Sequence, residues 1–375
     1  MGRRVFIIQD QIVYGGRLQV LLGICKVLNE SFGVKPTFLT GEWNVDERGI
    51  KKGYNKSLQF DVKELRLPNL PMEWKIPIFN AKASKIIPSE TDLVVNSNNT
   101  IANLAVPSKL IHYIHFPRVY RWRQKGQLHG SHKELQSDWK VRAYWSINSF
   151  LAKHRKKIFR TRNRGIFLFN SCFTKNCYHE LYPQVDGRVV YPGVDLKDNT
   201  NNQEINSKKS VVTLGRFSRK KRQLEQIQIA GRVPELNFHI CGFTKEESAY
   251  YKKCVAAAKK QDNVFLHPNV TSSKKDKLLQ EATYFLHTLR NEPFGITTVE
   301  AISAGLIPVV PDSGGQKEIV SVPQYRFSSP REAVSILNQD IAKNGKHVSE
   351  LTKNIRQFSK GEFETKIRQY LAQCI

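Results

Sequence analysis

Residues 291–305 read NEPFGITTVEAISAG and carry two glutamates, Glu292 and Glu300, around one glycine-containing turn. A short apolar segment, YFLHT at 284–288, comes directly before them, and an apolar helical pattern follows. This order predicts a strand, a loop at its carboxyl end and a helix whose unpaired N–H groups face that loop. Because such a helix end is also the positive end of the helix dipole, the stretch predicts a phosphate site in an α/β unit.

Strands and helices alternate along the chain in two series. The first series opens with VFIIQD (5–10), followed by an amphipathic helix that ends at Gly33, and a proline-broken loop is expected at 67–77. The further strands are expected at 37–40, 92–96, 109–115 and 165–170, and then at 211–214, 236–242, 263–268, 284–288 and 306–311. Repeated units of this kind predict an α/β fold with parallel sheets.

A polar stretch without periodicity, at 195–210, separates the two series. The predicted organisation is an N-terminal Rossmann-like domain at 1–192, a linker at 193–210, a C-terminal Rossmann-like domain at 211–345 and C-terminal helices at 346–375. Those last helices could pack back on the first domain. Doubly wound sheets bind ligands at the carboxyl ends of their strands, so a site is expected in a cleft between the two domains.

The charge balance is strongly basic, with 59 lysines and arginines against 33 acidic residues and a formal net charge of +26. Such an excess favours nucleic acid, anionic lipid headgroups or phosphorylated small molecules, and it does not distinguish among them. The six cysteines lack the spacing of a zinc site, and neither an apolar run of membrane-spanning length nor a signal peptide is recognisable. These features predict a cytoplasmic protein with reduced cysteines.

A second stretch, LGRFSRKKR at 214–222, follows a predicted strand in the same way. Arg216 and Lys221 lie five positions apart across a short loop that enters a helix. Two fixed cations there could hold a diphosphate, since each charge-assisted hydrogen bond is worth about 1.5–3 kcal/mol. The alternative is a solvated basic helix start, and we prefer it for the three other cations of the stretch, Arg219, Lys220 and Arg222.

The positions of the two glutamates relative to the predicted helix allow different roles. Glu300, about one turn into the helix, could accept the hydroxyls of a ribose, and Glu292 would lie beyond the phosphates. The pair could therefore bracket a nucleotide diphosphate sugar from its two ends. There are two alternatives. The glutamates could form a catalytic dyad, or they could be one charge on a loop and one solvated charge on a helix.

Three motifs together resemble those of the retaining glycosyltransferases of family 4. They are G-R-F-x-x-x-K at 215–221, E-P-F-G-x-x-x-x-E-A-x-x-x-G at 292–305 and G-G-x-x-E-I at 314–319. The resemblance implies the GT-B fold, in which two doubly wound Rossmann-like domains face each other across a cleft. The first domain would bind the acceptor and the second the nucleotide sugar.

The resemblance also implies roles for individual residues of the second domain. Arg216 and Lys221 would hold the diphosphate and stabilise its charge as it leaves, Glu300 would bind the ribose, and Glu292 would contact the donor sugar. The backbone in contact with sugar and phosphate would be that of Phe294, Gly295, Ile296 and Thr297.

The segments HYIHFP (112–117) and LHTLRNEPFGI (286–296) resemble the subgroup of mannosyltransferases that extend dolichol-linked oligosaccharides. This resemblance favours GDP-mannose as the donor, with a UDP-hexose as the alternative, and it implies that His115 lies near the reacting sugar. A packed histidine is the alternative for that residue. Gly15 and Gly16 match the flexible first loop of the family, near the acceptor and the phosphates.

The chain contains no Asp-x-Asp, so nothing in it resembles the metal–diphosphate clamp of metal-dependent sugar transferases. We therefore expect no metal and no other cofactor. A retaining reaction by double displacement would need a carboxylate on the opposite face of the sugar, and none can be assigned. A front-face route, in which the leaving phosphate takes the acceptor proton, is preferred.

Residues 118–164 combine aromatic side chains with clusters of basic ones on the expected acceptor side. Aromatic anchors beside cations are typical of an interfacial membrane contact, so a peripheral enzyme on the cytoplasmic membrane face with a lipid-linked glycan acceptor is expected. The alternative without a membrane contact is a core helix with solvated charges. A soluble acceptor, a sugar phosphorylase and a basic nucleic-acid-binding protein are the competing functions, although no specific nucleic-acid motif is present.

Overall fold

A computed structural model of the chain describes residues 2–46, 50, 57–68, 72–98, 109–117, 165–197, 210–245, 248–343 and 348–375. The chain forms two compact units. The first is Met1–Gly193 together with Gly361–Ile375, and the second is Val194–Lys360. In the described ranges, no helix combines the length and the hydrophobicity needed to cross a membrane.

The described part of the first unit holds a seven-stranded parallel sheet. The strands of this sheet are β1 (Val5–Gln9), β3 (Thr37–Thr40), β5 (Asp61–Glu64), β6 (Leu93–Asn96), β7 (Lys109–Ile114), β8 (Ile166–Phe169) and β9 (Arg188–Val189). Two short strands, β2 (Ile12–Val13) and β4 (Trp43–Asn44), pair with each other in a separate sheet. The order across the sheet is β5-β3-β1-β6-β7-β8-β9. The helices described between these strands are α1 (Gly16–Phe32), α2 (Met72–Ile86) and α3 (Cys172–Leu181).

The apolar pattern explains why β1 and α1 form the centre of this unit. Three of the five residues of β1 are aliphatic and completely or almost completely buried, as expected for a parallel strand covered on both faces. The helix α1 buries eight residues along its length. It ends at Gly33, whose φ of 63° lies in the left-handed region that glycine adopts without strain.

The second unit has a six-stranded parallel sheet within its described residues. The strands are β10 (Ser210–Leu214), β11 (Asn237–Gly242), β12 (Val264–Pro268), β13 (Tyr284–Leu286), β14 (Ile307–Pro311) and β15 (Arg326–Phe327). The helices are α4 (Gln223–Ala230), α5 (Ala249–Ala258), α6 (Ser272–Glu281), α7 (Ile296–Ser303), α8 (Gln316–Ile319), α9 (Pro330–Lys343) and α10 (Val348–Ile355). The order β12-β11-β10-β13-β14-β15 is that of a doubly wound sheet, in which the winding direction reverses between β10 and β13.

The prediction of a loop over 67–77 is wrong for its second half, because α2 begins at Met72. Of the prolines in this segment, Pro77 lies inside the helix, where a proline lacks the N–H donor and crowds the preceding turn. On the following turns Phe79 and Ala83 are completely buried against the sheet. Tertiary packing therefore outweighs the local cost of the proline.

The predicted block of C-terminal helices, 346–375, is divided between the two units. Val194 pairs with Ser359 in a parallel bridge, so this segment and α10 belong to the second unit. The last helix, α11 (Lys360–Ala372), packs in the core of the first unit through Phe363, Ile367 and Leu371. The second unit therefore runs to Lys360 and not to 345, and it begins at Val194 rather than 211. Residues 198–209 of the predicted linker lie outside the described residues.

Candidate functional site

The candidate site lies where the winding of the second sheet reverses, between β10 and β13. The loops that follow these adjacent strands leave toward opposite faces of the sheet, and the crevice this creates is where doubly wound folds bind ligands. The loop after β10 begins at Gly215, and the loop after β13 leads to α7. Both stretches singled out in the sequence therefore meet at the same edge of one sheet.

The loop after β10 is fixed by the buried side chain of Gln223. Its amide nitrogen donates to the carbonyl of Arg216 at 3.0 Å, and its oxygen accepts from the backbone N–H of Ser218 at 3.2 Å. The Thr288 hydroxyl fixes the main chain of Lys221 by donating a 2.8 Å hydrogen bond to its carbonyl. The loop thus presents Arg216, which is exposed, and Lys221, which is partly buried, in a fixed arrangement.

The three other cations of this loop are differently placed. Arg219 and Lys220 are exposed. Arg222 forms an ion pair with Glu225 on the first turn of α4. This arrangement agrees with the interpretation of the three as a basic helix start.

Glu292 is the partner of Lys221. The Lys221 ammonium donates to the Glu292 carboxylate at 2.6 Å, and the Nε2 atom of His287 lies 3.4 Å from the same oxygen. Burial raises the pKa of Glu292, but the Lys221 charge and the contact with His287 outweigh it and hold the pKa well below its ordinary value. Glu292 is therefore an ionised carboxylate at neutral pH.

His287 lies almost completely buried just beyond β13. Burial lowers its pKa, the contact with Glu292 raises it, and the Lys221 charge lowers it again, with a net decrease. The imidazole is thus neutral at neutral pH, and the ammonium of Lys221 is the cation that neutralises Glu292.

Glu300 has a separate cationic partner. It is half-buried on α7, and its carboxylate lies 3.4 Å from the ammonium of Lys275 on α6. Glu292 and Glu300 are therefore each paired with a different lysine.

The start of α7 is shaped by Gly295. Its φ of 126° is a conformation that side chains rarely adopt, and a Cβ there would lie 2.7 Å from the amide nitrogen of Gln316. Ile296 and Thr297 follow in the first turn of the helix. Gln316 is fully buried, and among the described residues neither polar atom of its side chain has a hydrogen-bond partner.

In the first unit, the predicted residues lie at the carboxyl ends of β1 and β7. His115 follows β7, is buried, and has its Nε2 atom 2.8 Å from the Ser97 hydroxyl. Burial, and then the nearby Arg17 charge, lower its pKa well below the ordinary value, so it is neutral. Gly15 and Gly16, both exposed, form the N-terminal cap and the first residue of α1, and Gly15 has φ 141°.

Several residues of the two sites were missed by sequence reasoning. His287 stands in the quoted stretch 284–288 and Gln316 in the motif 314–319, so a signal was present for both. Nothing in the local sequence distinguishes Lys275 or Ser97, whose partners are remote in the chain. The basic and aromatic segment 118–164 lies outside the described residues.

Comparison with known proteins finds similarity over most of the second unit. Residues 196–360 match the family model described as Glycosyl transferases group 1. A GDP-Man:Man(3)GlcNAc(2)-PP-Dol alpha-1,2-mannosyltransferase of Dictyostelium discoideum is 34% identical over 122 residues, 31% of this chain and 24% of that protein. A GDP-mannose:cellobiosyl-diphosphopolyprenol alpha-mannosyltransferase of Xanthomonas campestris is 31% identical over 130 residues, 33% of this chain and 34% of its own. The matches thus span about a quarter to a third of these relatives' lengths.

Solved structures extend the similarity to the whole fold. WaaG, a glycosyltransferase involved in lipopolysaccharide biosynthesis, superposes with a TM-score of 0.71 over 98% of both chains, at 15% sequence identity. At this identity the likeness concerns the fold alone, and it confirms the predicted α/β fold of the GT-B class.

Proposed function

We propose that this chain, whose residues 196–360 match the family model described as Glycosyl transferases group 1, transfers a hexosyl unit from a nucleotide diphosphate sugar to a lipid-linked glycan. GDP-mannose is favoured over a UDP-hexose because both relatives described above are named for GDP-mannose and for dolichol- or polyprenol-linked acceptors. The observation that carries the proposal is the cluster of Arg216, Lys221 and Glu292 on adjacent loops where the sheet reverses its winding.

The donor would be held along this edge of the sheet. Arg216, Lys221 and the first backbone N–H groups of α7 bind the diphosphate, and they stabilise the charge that develops on it as the sugar leaves. Preorganised stabilisation of this kind is usually the largest single contribution to catalysis. Glu300 binds the ribose, and Glu292, at the other end, orients hydroxyl groups of the donor sugar.

The proposed reaction retains the configuration at the anomeric carbon. The bond from that carbon to the diphosphate oxygen breaks, the acceptor hydroxyl oxygen forms the new bond on the same face, and its proton passes to the leaving phosphate. Glu292 is ionised but neutralised by Lys221, which makes it a better hydrogen-bond acceptor for sugar hydroxyls than a nucleophile. His115, Gly15 and Gly16 would contact the reacting sugar and the phosphates from the first unit.

The direct test is a transfer assay with radiolabelled GDP-mannose and a polyprenyl-diphosphate-linked oligosaccharide. We expect label in the lipid-linked product and release of GDP, with UDP-glucose and a lipid-free glycan as comparisons. Release of a sugar phosphate on addition of free phosphate would identify a phosphorylase. Tight binding of nucleic acid without thermal stabilisation by any nucleotide would favour the nucleic-acid-binding alternative.

Metal independence is a separate prediction, because Arg216 and Lys221 supply the cations that a metal would otherwise provide. We expect the transfer rate to stay within about twofold after treatment with EDTA and removal of the chelate, since two charge-assisted contacts meet the diphosphate charge. The rate is measured before and after addition of Mg²⁺ or Mn²⁺, with an Asp-x-Asp transferase as the positive control for chelation. A strict requirement for either ion would contradict the prediction.

Reversible binding to an anionic membrane is proposed from the sequence of 118–164. We expect sedimentation with vesicles that contain anionic lipid and not with neutral vesicles, because each Lys or Arg near such a surface contributes about 1 kcal/mol. Added salt should weaken the binding by screening. Such an enzyme would work on the cytoplasmic face of the membrane, where it could reach a lipid-linked acceptor.

Two variants with equal loss of charge locate the contact. The test variant neutralises Lys153, Arg155, Lys156 and Lys157, and the control neutralises four exposed lysines of the second unit, Lys252, Lys253, Lys259 and Lys260. The test variant should lose most of its vesicle binding and the control should retain it. A protein that ignores anionic vesicles even at low salt would instead have a soluble acceptor.

A further inference from the structure

Phe243 has the most exposed of the large hydrophobic side chains in the described part of the chain. Its exposed fraction is 59%, compared with 48% for Tyr14 and 43% for Phe265. It directly follows β11, at the carboxyl edge of the second sheet, which is the edge that carries the candidate site. A single exposed apolar residue is ordinary in itself, so its surroundings decide what it means.

The backbone around Phe243 is held from both sides. On one side, the N–H of Phe217 donates to the carbonyl of Phe243 at 2.9 Å. On the other, the side chain of Asn269 accepts from the N–H of Thr244 at 2.9 Å and donates to its carbonyl at 3.0 Å. The N–H of Asn269 also donates to the carbonyl of Gly242. A solvent-facing aromatic ring is therefore carried on a fixed main chain, and not on a free loop.

Gly242 brings this ring close to the loop that follows β10. A Cβ at Gly242 would lie 1.9 Å from the carbonyl oxygen of Gly215, so the two backbones are in direct contact at this point. The N–H of Gly215 donates to the carbonyl of Cys241 at 3.0 Å. The main chain at Phe243 is thus adjacent to the loop whose Arg216 and Lys221 are proposed to bind the diphosphate.

The order of the strands places Phe243 on the side of the diphosphate away from the donor sugar. Glu292 follows β13, Lys221 follows β10 and Phe243 follows β11, and neighbouring strands are about 4.8 Å apart. Lys275, the partner of Glu300, stands on α6, which begins three residues beyond Asn269. Lys275 and Phe243 therefore stand on the segments that follow β12 and β11, the two strands on the far side of β10 from Glu292.

We infer that Phe243 is the platform on which the base of the nucleotide donor stacks. This inference rests on the proposed function. An aromatic ring offers its π-face to a base and excludes water from it, and a purine covers more of the ring than a pyrimidine does. Phe243 therefore contributes to nucleotide affinity and favours purine over pyrimidine nucleoside diphosphates.

The test measures binding of GDP, UDP and inorganic pyrophosphate to the full chain by calorimetry. Phe243→Ala should weaken GDP binding by about tenfold or more, as stacking on an aromatic side chain requires, and leave pyrophosphate binding unchanged. Phe243→Trp should restore GDP affinity. Phe265→Ala, which removes an exposed ring from the neighbouring strand, should change neither. The thermal midpoint of each variant checks that the fold is intact.

The outcomes separate this inference from the proposed function. If the wild-type chain binds no nucleoside diphosphate, the proposed function fails. If it binds GDP and Phe243→Ala binds it equally well, the stacking role is overturned while the proposed function stands. Equal weakening of GDP and pyrophosphate would also overturn it, because the substitution would then act on the diphosphate loop.

Discussion

Replacing Arg216 and Lys221 together by Ala is expected to lower the transfer rate by at least about three orders of magnitude. Loss of one preorganised donor to a developing negative charge commonly costs about 10²- to 10³-fold, and this variant removes two cations. Removal of Lys221 has a second consequence, because Glu292 loses the ammonium 2.6 Å away and keeps only a neutral imidazole beside it. Its pKa should then rise, since only the contact with His287 still offsets burial.

The neighbouring residues Arg219 and Lys220 provide a matched control. They lie in the same loop, are exposed, and carry the same two charges. The double variant Arg219→Ala, Lys220→Ala should transfer at a rate close to the wild type, and both double variants should keep the wild-type thermal midpoint within a few degrees. Near-normal turnover without Arg216 and Lys221 would mean that the diphosphate binds elsewhere. An equal loss in the control would attribute the effect to overall charge.

The elements with a strong apolar pattern could be read from the sequence. The strand at 37–40 was predicted with the bounds that the structure shows, and α1 ends at Gly33 as its glycine signal indicates. By contrast, β5 has the sequence DVKE and its side chains are mostly exposed, since it lies at the edge of the first sheet. An edge strand of this kind is defined by its backbone pairing with β3, which leaves no pattern in the side chains.

The candidate site could be predicted as two motifs but not as a network. The spacing of each stretch indicates a strand, a loop and a helix, and the parallel fold then brings the two loops to one edge. The pairing of Lys221 with Glu292 joins residues 71 positions apart, and its geometry depends on the order of the strands. Likewise, Phe243 is exposed on a main chain that is held by hydrogen bonds to remote residues on both sides. The local sequence contains no pattern that predicts this arrangement.

The two glutamates of the site should respond differently to the same substitution. Glu300→Gln is expected to weaken nucleotide binding by about tenfold or more, because a charge-assisted hydrogen bond to a ribose hydroxyl is worth about 1.5–3 kcal/mol. Glu292→Gln should instead leave nucleotide affinity within about threefold of the wild type, since its partner Lys221 becomes free to bind the diphosphate. Dissociation constants for GDP, measured by calorimetry, test both expectations.

Turnover gives the complementary result. Glu292→Gln should lower kcat by about ten- to a hundredfold, because a neutral amide replaces the carboxylate proposed to orient the donor sugar as it reacts. Glu300→Gln should act mainly on the KM for the nucleotide sugar. Glu235→Gln, at an exposed turn before β11, is a matched control that should change neither quantity. An equal loss of nucleotide affinity in the Glu292 and Glu300 variants would show that the carboxylates do not occupy opposite ends of the donor.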